Sequence, residues 1–582
     1  MESLTLFAGV ALLTLAAPFE LTEPLLRLPR QSVSSLEAAV LLAFAGWGVA
    51  IVASRRLPEF RTPLTVPWVA LLVAMFVASI ASPVSRVNAL HMTGRLAAAF
   101  GIYLLAVNGI TTHARLRGVL WLAAIIGVVV SVLAILEFLS VQPVLAWLTA
   151  FRPSVATVGA QVRAGGPLQY PTIASMYLEV VFAFGLGLLL AELDASGAWR
   201  AFRVGALFVA LAIIGEGITV TFTRAGLITM AVTAAFIGGT RAASRGADAG
   251  VRLIAALAVV LVALFMSSRS AQSMWLRFTS EGQEAWYRVA VNAPADLELR
   301  TGENALVPVA VTNAGRLAWD SLADPPILFS YHWLPADGDR FVTFEGARTP
   351  FASPVEPGAT TAIDARVRPP RQPGRYRLEW DIVQGGRLWF STEPGAARRM
   401  STVTVVGDAA DAPAPTTAPP KPTIRPGRLA LWGAAASMVA AHPLLGVGPD
   451  NFRLSYGRYA GITSADPRTH SNNMYLEMLA GGGLLVGAAF AWLLWRAARA
   501  AAASLRLSAG AAGAASPERA LWTDASRRAA SAGIVAATLA IAVHATVDSF
   551  LSFAPTYVLF ALTLGCTVAC ARDMETARAN RV

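Results

Sequence analysis

The 582-residue sequence is poor in charge, lysine, histidine and cysteine. Only 14% of its residues are Asp, Glu, Lys or Arg, against about 25% in soluble domains. With 55% hydrophobic residues and a mean hydropathy of +0.54, that scarcity excludes a soluble globular chain. Lys421 is the sole lysine, so the net charge of +11 comes from arginine. The arginines stand at the ends of apolar runs rather than in one patch. That excludes a nucleic-acid surface and points to membrane topology. The two cysteines, Cys566 and Cys570, lie one helical turn apart in the last apolar run. Two cysteines with no histidine nearby exclude a disulfide framework and a cysteine metal site. No His, Asp, Glu and Cys residues stand at metal-ligand spacing, so the expectation is no metal and no cofactor.

What the chain has is apolar runs. A bilayer crossing needs about 17–25 residues, and runs of this kind fall near 4–19, 36–54, 64–82, 94–110, 118–139, 172–191, 204–222, 225–240, 252–268, 474–495, 530–548 and 553–571. The first is read as a helix and not a signal peptide, because Met1-Glu2-Ser3 carries no positive charge. Arginine placement orients them. Loops holding Arg55, Arg56, Arg61, Arg115, Arg117, Arg200, Arg203, Arg241 and Arg245 alternate with shorter ones holding Arg27, Arg30, Arg86, Arg95, Arg152, Arg163 and Arg224. Twelve spans with both termini cytoplasmic satisfy the positive-inside rule at almost every loop.

Between the ninth and tenth runs the pattern changes. From Trp286 to Val406 hydrophobicity alternates with period two in LVPVAVTN, ILFSYHWL, YRLEWDIV and STVTVV, punctuated by turns such as PADGD and EPGA. This predicts an inserted all-β, immunoglobulin-like antiparallel sandwich over 286–406, with Trp319, Trp333, Trp380 and Trp389 in its core and rim. The rest is a mostly α, polytopic helix bundle: 1–285 before the insertion, a Pro/Ala-rich linker at 407–427, an outer loop at 428–473, and 474–582 after it. Arg428 to His442 has helical periodicity but is too short to span, which suits a helix on the outer membrane surface with Pro426 near its first turn.

Two dense polar stretches stand out, AHPLLGVGPDNF at 441–452 and RTHSNNMYLEMLAGGG at 468–483. His470, followed by Asn472 and Asn473, stands at the mouth of a span on the outer side. A neutral imidazole there suits proton acceptance from an attacking hydroxyl; the same position suits a helix cap. Arg224, in TFTRAGL between two close spans, reads as an anion clamp for a diphosphate or as a cation snorkelling to the interface. Arg163, Arg428 and Arg468 lie on the same side. GVGP at 446–449 lacks the Lys-Ser/Thr ending of a phosphate loop and reads as a turn. His544 and Asp548, one turn apart, read as a polar pair, with a buried structural hydrogen bond as the plainer role. No ionisable residue stands out at mid-membrane.

HPLLGVGPDNF followed by THSNNMYLEMLAGGGLLVG resembles the signature of the O-antigen ligase and polymerase superfamily, bacterial membrane glycosyltransferases that use polyprenyl-diphosphate-linked glycans. TFTRAGLITMAV and VRAGGPLQYPTIAS resemble further motifs of that family, and RPGRLALWGAAASMVAAHPLLG resembles its arginine-bearing helix. There are departures: PLQYP stands where asparagine-proline is usual, Ala225 where glycine is frequent, and the β-region is not part of the family core. The resemblance implies His470 as catalytic base and Arg224, Arg428 and Arg163 as ligands of the donor diphosphate, with Asn472, Asn473 and Arg468 in support. It implies a metal-free transfer at the periplasmic face of the bacterial inner membrane, from a polyprenyl-diphosphate-linked glycan to a glycan, lipid or protein acceptor. Ligase stands ahead of polymerase. A transporter or flippase is the reading from another class. The β-region would dock the acceptor or a cell-envelope partner.

Overall fold

The computed structural model describes residues 2–246 except 29–30, 56, 153–155 and 159–160; residues 248 and 256; residues 286–407 except 323–325, 339–340, 385–387 and 393–398; and residues 426–579 except 463–464 and 510–521. The expected span at 252–268, most of the linker and part of the loop after the tenth run lie outside these residues.

Among the described residues the chain forms fourteen α-helices. They are α1 Glu2–Ala16, α2 Ser35–Ser54, α3 Thr65–Ile80, α4 Arg86–Gly109, α5 His113–Phe138, α6 Gln142–Leu148, α7 Pro171–Leu193, α8 Arg200–Val220, α9 Arg224–Arg245, α10 Arg428–Ala441, α11 Phe452–Ala460, α12 Met474–Ala509, α13 Asp524–His544 and α14 Ala554–Ala579. Every expected span other than 252–268 is present as a helix. Among the described residues nine helices are long and apolar enough to cross a bilayer, while α1, α3 and α10 are apolar but shorter. Starts follow local chemistry: Ser34 and Glu37 form a reciprocal capping box at α2, and the Thr112 hydroxyl accepts the Arg115 N–H at α5.

The bundle is built around α7, which is buried almost along its whole length. It crosses α13 with backbones in contact, since a Cβ on Gly187 would come 2.5 Å from the Gly533 Cα. At its C-terminal end Glu192 is gripped by Arg117 Nε and Arg203 Nε, each at 2.6 Å, and by Trp522 Nε1 at 3.3 Å. Before its N-terminal end, Glu137 of α5 pairs with buried Arg152 and accepts the N–H groups of Gly165 and Gly166 at 3.0 and 2.9 Å. These contacts fix the loop that leads into α7.

The inserted region has two sheets, one of strand order β10-β7-β5 and one of order β6-β13-β11-β8-β9 with β12 on β11. Here β5 is Val289–Asn292, β6 Asp296–Arg300, β7 Ala305–Asn313, β8 Ile327–Pro335, β9 Thr349–Pro350, β10 Thr360–Val367, β11 Gly374–Gln384, β12 Leu388–Trp389 and β13 Arg399–Val406. Four three-residue strands earlier in the chain, β1 Leu26–Leu28, β2 Gln31–Val33, β3 Ala156–Val158 and β4 Gln161–Arg163, form two hairpins. Val307, Val309 and Val311 from one sheet share a core with Phe329, Trp333, Trp380 and Val403 from the other, and Trp319 joins them. All four expected tryptophans are buried. One pairing departs from the expected antiparallel pattern: β6 runs parallel to β13, which a period-two sequence signal does not distinguish. His332 is fully buried here, its Nε2 3.0 Å from Asp381 Oδ2.

Candidate active site

The two dense polar stretches are halves of one backbone arrangement. Gly483 has φ +61° and ψ −162°, which breaks α12. The break removes helical partners from the N–H groups of Leu484 and Leu485 and from the carbonyls of Ala480 and Gly481. The 443–448 loop supplies all four. Leu484 N donates to Pro443 O (2.8 Å) and Leu485 N to Leu444 O (3.2 Å), while Val447 N donates to Ala480 O (2.9 Å) and Gly448 N to Gly481 O (2.8 Å). Irregular backbone at membrane depth requires this matching. Glycine is needed on both sides. A Cβ on Gly446 would lie 2.5 Å from Ala480 O, and one on Gly483 would lie 2.4 Å from the Leu444 carbonyl carbon. GVGP is thus a turn, as expected, and also the partner of the broken helix.

The loop then delivers Asp450 and Asn451. Asp450 has φ +60°, in the left-handed region that Asp and Asn tolerate best among side chains other than glycine. Its Oδ2 accepts Arg453 Nε at 2.9 Å and Asn88 Nδ2 at 3.1 Å. Asn451 is fully buried. Its amide donates to Ser82 Oγ, Ser85 O and Val447 O at 2.8, 3.0 and 3.1 Å, and its oxygen accepts Asn88 Nδ2 at 3.0 Å. The α3–α4 turn therefore anchors the loop.

His470 sits opposite Asp450, its side chain 14% exposed. Its Nδ1 lies 3.3 Å from Glu477 Oε1 and 4.0 Å from Asp450 Oδ1. Glu477 Oε2 accepts the Ser471 N–H at 2.8 Å, and Trp432 Nε1 donates to Ser471 O at 3.1 Å. Asn472 has φ +52°, and Asn473 caps α12 by accepting the Leu476 N–H at 3.0 Å. The turn so formed brings Glu477 back onto the histidine. A carboxylate at Nδ1 selects the tautomer protonated there and leaves Nε2 as acceptor; Nε2 bonds to no described residue. Burial pushes the imidazole down. The hydrogen bond and charge of Glu477, with Asp450 adding and Arg453 opposing, hold it above the usual histidine range.

Asp548 connects one of the arginines to this centre, since it is close enough to Arg428, His470 and His544 to interact electrostatically with each. Arg428 is exposed at the start of α10. Arg163 donates from Nε to Thr221 O (3.1 Å) and from Nη2 to Thr223 Oγ1 (3.4 Å), which sets it beside the first residue of α9, Arg224. Arg224 is exposed and bonds to no described residue. Arg468 is held outside this group by Asp466, with its side chain 75% exposed.

His544 pairs with Glu179 and not with Asp548: Nδ1 is 2.8 Å from Glu179 Oε2, which also accepts the Thr229 hydroxyl. Glu179 lies within α7 and is buried, so an ionisable residue does stand inside the membrane region. The sequence expectation missed Glu477, Asp450 and Glu179. One signal was present, since MYLE occurs at both 176–179 and 474–477 and each of these glutamates meets a histidine.

Asp450, His470 and Glu477 place ligand-type atoms within 4.8 Å of one another, the grouping able to share a cation among the described residues. Residues 450, 470 and 477 form no spacing motif, so the fold assembles what the sequence does not display. Arg453 already engages one Asp450 oxygen.

Residues 416–491 match the family model described as O-Antigen ligase, a segment that contains α10, α11, His470 and the broken part of α12. No curated protein matches the chain. Among solved structures, the chain is similar to Pseudomonas fluorescens alkylpurine DNA glycosylase AlkC bound to DNA containing an abasic site analog. That match has 12% identity, covers 63% of this chain and 88% of that one, and has a TM-score of 0.13. A score that low carries no argument about fold or function.

Proposed function

We infer that this chain transfers a polyprenyl-diphosphate-linked glycan to an acceptor hydroxyl, a reading supported by the match of residues 416–491 to the O-antigen ligase family model. The acceptor is a lipid or protein, and the reaction takes place on the periplasmic face of the bacterial inner membrane. The observation that supports this best is His470, oriented by Glu477 through Nδ1 with Nε2 unbonded. In this reading the acceptor hydroxyl attacks the anomeric carbon of the donor and its proton passes to His470 Nε2. The anomeric C–O bond to the diphosphate breaks, and the polyprenyl diphosphate leaves with the electron pair. Arg224, Arg163 and Arg428 stabilise the negative charge that the diphosphate gains as it leaves, the role a metal plays elsewhere. The β-region binds the acceptor or a cell-envelope partner.

The test is His470→Ala in the native host, with surface glycan resolved on gels. Complete polymer left on its lipid carrier supports a ligase, single-repeat material supports a polymerase, and unchanged surface glycan removes the assignment. The buried Glu179–His544 pair favours a second reading, transport, because membrane-embedded ionisable pairs mark substrate and proton pathways. Reconstituted vesicles that flip a lipid-linked glycan without transferring it would support that reading over the first.

A further inference from the structure

A row of rings leads outward from the proposed base. The His470 and Phe553 rings have centroids 5.9 Å apart at 67°, and the Phe553 and Tyr170 rings 6.2 Å apart at 60°. Tyr170 caps the start of α7 and is 47% exposed, while Phe553 is half-buried. Three independent segments therefore meet here: the 163–170 loop, the turn before α14 and the His470 loop. The rim is polar. Exposed Gln169 precedes Tyr170, and the exposed Arg468 lies in its electrostatic neighbourhood.

We propose that Tyr170 and Phe553 form a sugar-binding ledge that seats a pyranose ring of the glycan beside His470 Nε2. The chemistry is specific to a sugar. One face of a pyranose presents axial C–H bonds, which carry partial positive charge and pack on the electron-rich face of an aromatic ring. Its hydroxyls point sideways, towards groups such as Arg468 and Gln169. A lipid tail would use the rings but not the polar rim, and a free diphosphate would use the arginine but not the rings. Tyrosines at helix ends also serve as interfacial anchors. An anchor, however, needs no alignment with a half-buried histidine, and here Phe553 bridges the two. The inference rests on the glycan-transfer reading and assigns the sugar-recognising part of that same site.

The probe is the oligosaccharide released by mild acid from the host's own surface glycan. Its binding to the full-length protein in detergent is measured by saturation-transfer NMR titration. Native protein binds it, with the strongest transfer to ring C–H protons. Tyr170→Ala and Phe553→Ala each weaken binding roughly 2- to 10-fold, while Tyr170→Phe and Tyr170→Trp bind as native. Thermal melting of each variant separates loss of the ledge from loss of fold. Absence of binding by native protein, native-like binding by Tyr170→Ala, or equal loss in Tyr170→Phe and Tyr170→Ala would each overturn the proposal. His470→Ala keeps the two ideas apart. Binding retained with transfer abolished supports both, whereas transfer retained with ring-dependent binding removes the base and leaves the ledge.

Discussion

Glu477 Oε1 meets His470 Nδ1 at 3.3 Å although seven positions separate them in sequence. The contact exists because Asn472 turns the chain through a left-handed conformation and Asn473 caps the helix that carries the glutamate.

This pairing predicts the pH dependence of transfer. A base works only when unprotonated, and the carboxylates of Glu477 and Asp450 favour the imidazolium against burial and Arg453. The acid limb of the rate profile should therefore lie above the usual histidine range. In Glu477→Gln the largest raising influence is gone, so the limb moves to lower pH and the maximal rate falls about 10-fold or more as the tautomer loses its orienting partner. An unmoved limb would separate His470 from the rate-determining proton.

Arg224 offers a cleaner test than Arg163, which bonds to Thr221 and Thr223, because it bonds to no described residue. Arg224→Ala should leave the melting temperature unchanged and weaken apparent donor affinity by about 10- to 100-fold, the loss of one charge-assisted contact. Lysine should restore only part of that, since it lacks the planar donor fork. Kinetics against donor concentration read the effect.

Asn451 should behave in the opposite way. Its replacement by alanine takes the amide donor from Ser82 Oγ and from the Ser85 and Val447 carbonyls in a buried setting, and leaves Asn88 Nδ2 with Asp450 alone, at a cost of about 2–3 kcal/mol. Thermal unfolding in detergent should show a clear drop. Transfer should fall with it, because the same bonds hold Asp450 opposite His470.

Chelation separates arginine-based from metal-based charge stabilisation. If the guanidinium groups neutralise the leaving diphosphate, transfer proceeds at the same rate after dialysis against EDTA. A rate that collapses and returns with added divalent cation would reassign Asp450, His470 and Glu477 as its ligands.

The sequence made the bundle, the inserted sheets and His470 visible, each for a physical reason. Long apolar runs and period-two strands are local patterns, and a polar histidine is conspicuous where nearly everything is apolar. Its partners were not visible. Glu477 reads as an ordinary residue in the first turn of a membrane helix, and Glu179 as a stray acid in an apolar run. The anchor between Asn451 and Ser82 spans 369 positions, beyond the reach of any window or spacing rule. Alternation in β6 and β13 revealed strands but not their direction. Arginine counting puts Arg163, Arg224 and Arg428 on one side of the membrane, and only the fold shows Arg163 bonded to Thr223, next to Arg224, and Asp548 near both Arg428 and His470.

The break at Gly483 has a mechanical consequence. A continuous helix transmits bending and twist along its whole length, so a carboxylate on it would feel every change in bilayer thickness at its far end. At Gly483 the shaft is interrupted, and the segment that carries Glu477 is spliced to the 443–448 loop by hydrogen bonds of its own. The membrane-crossing half can tilt with the lipid while the carboxylate, the histidine and Asp450 travel as one block.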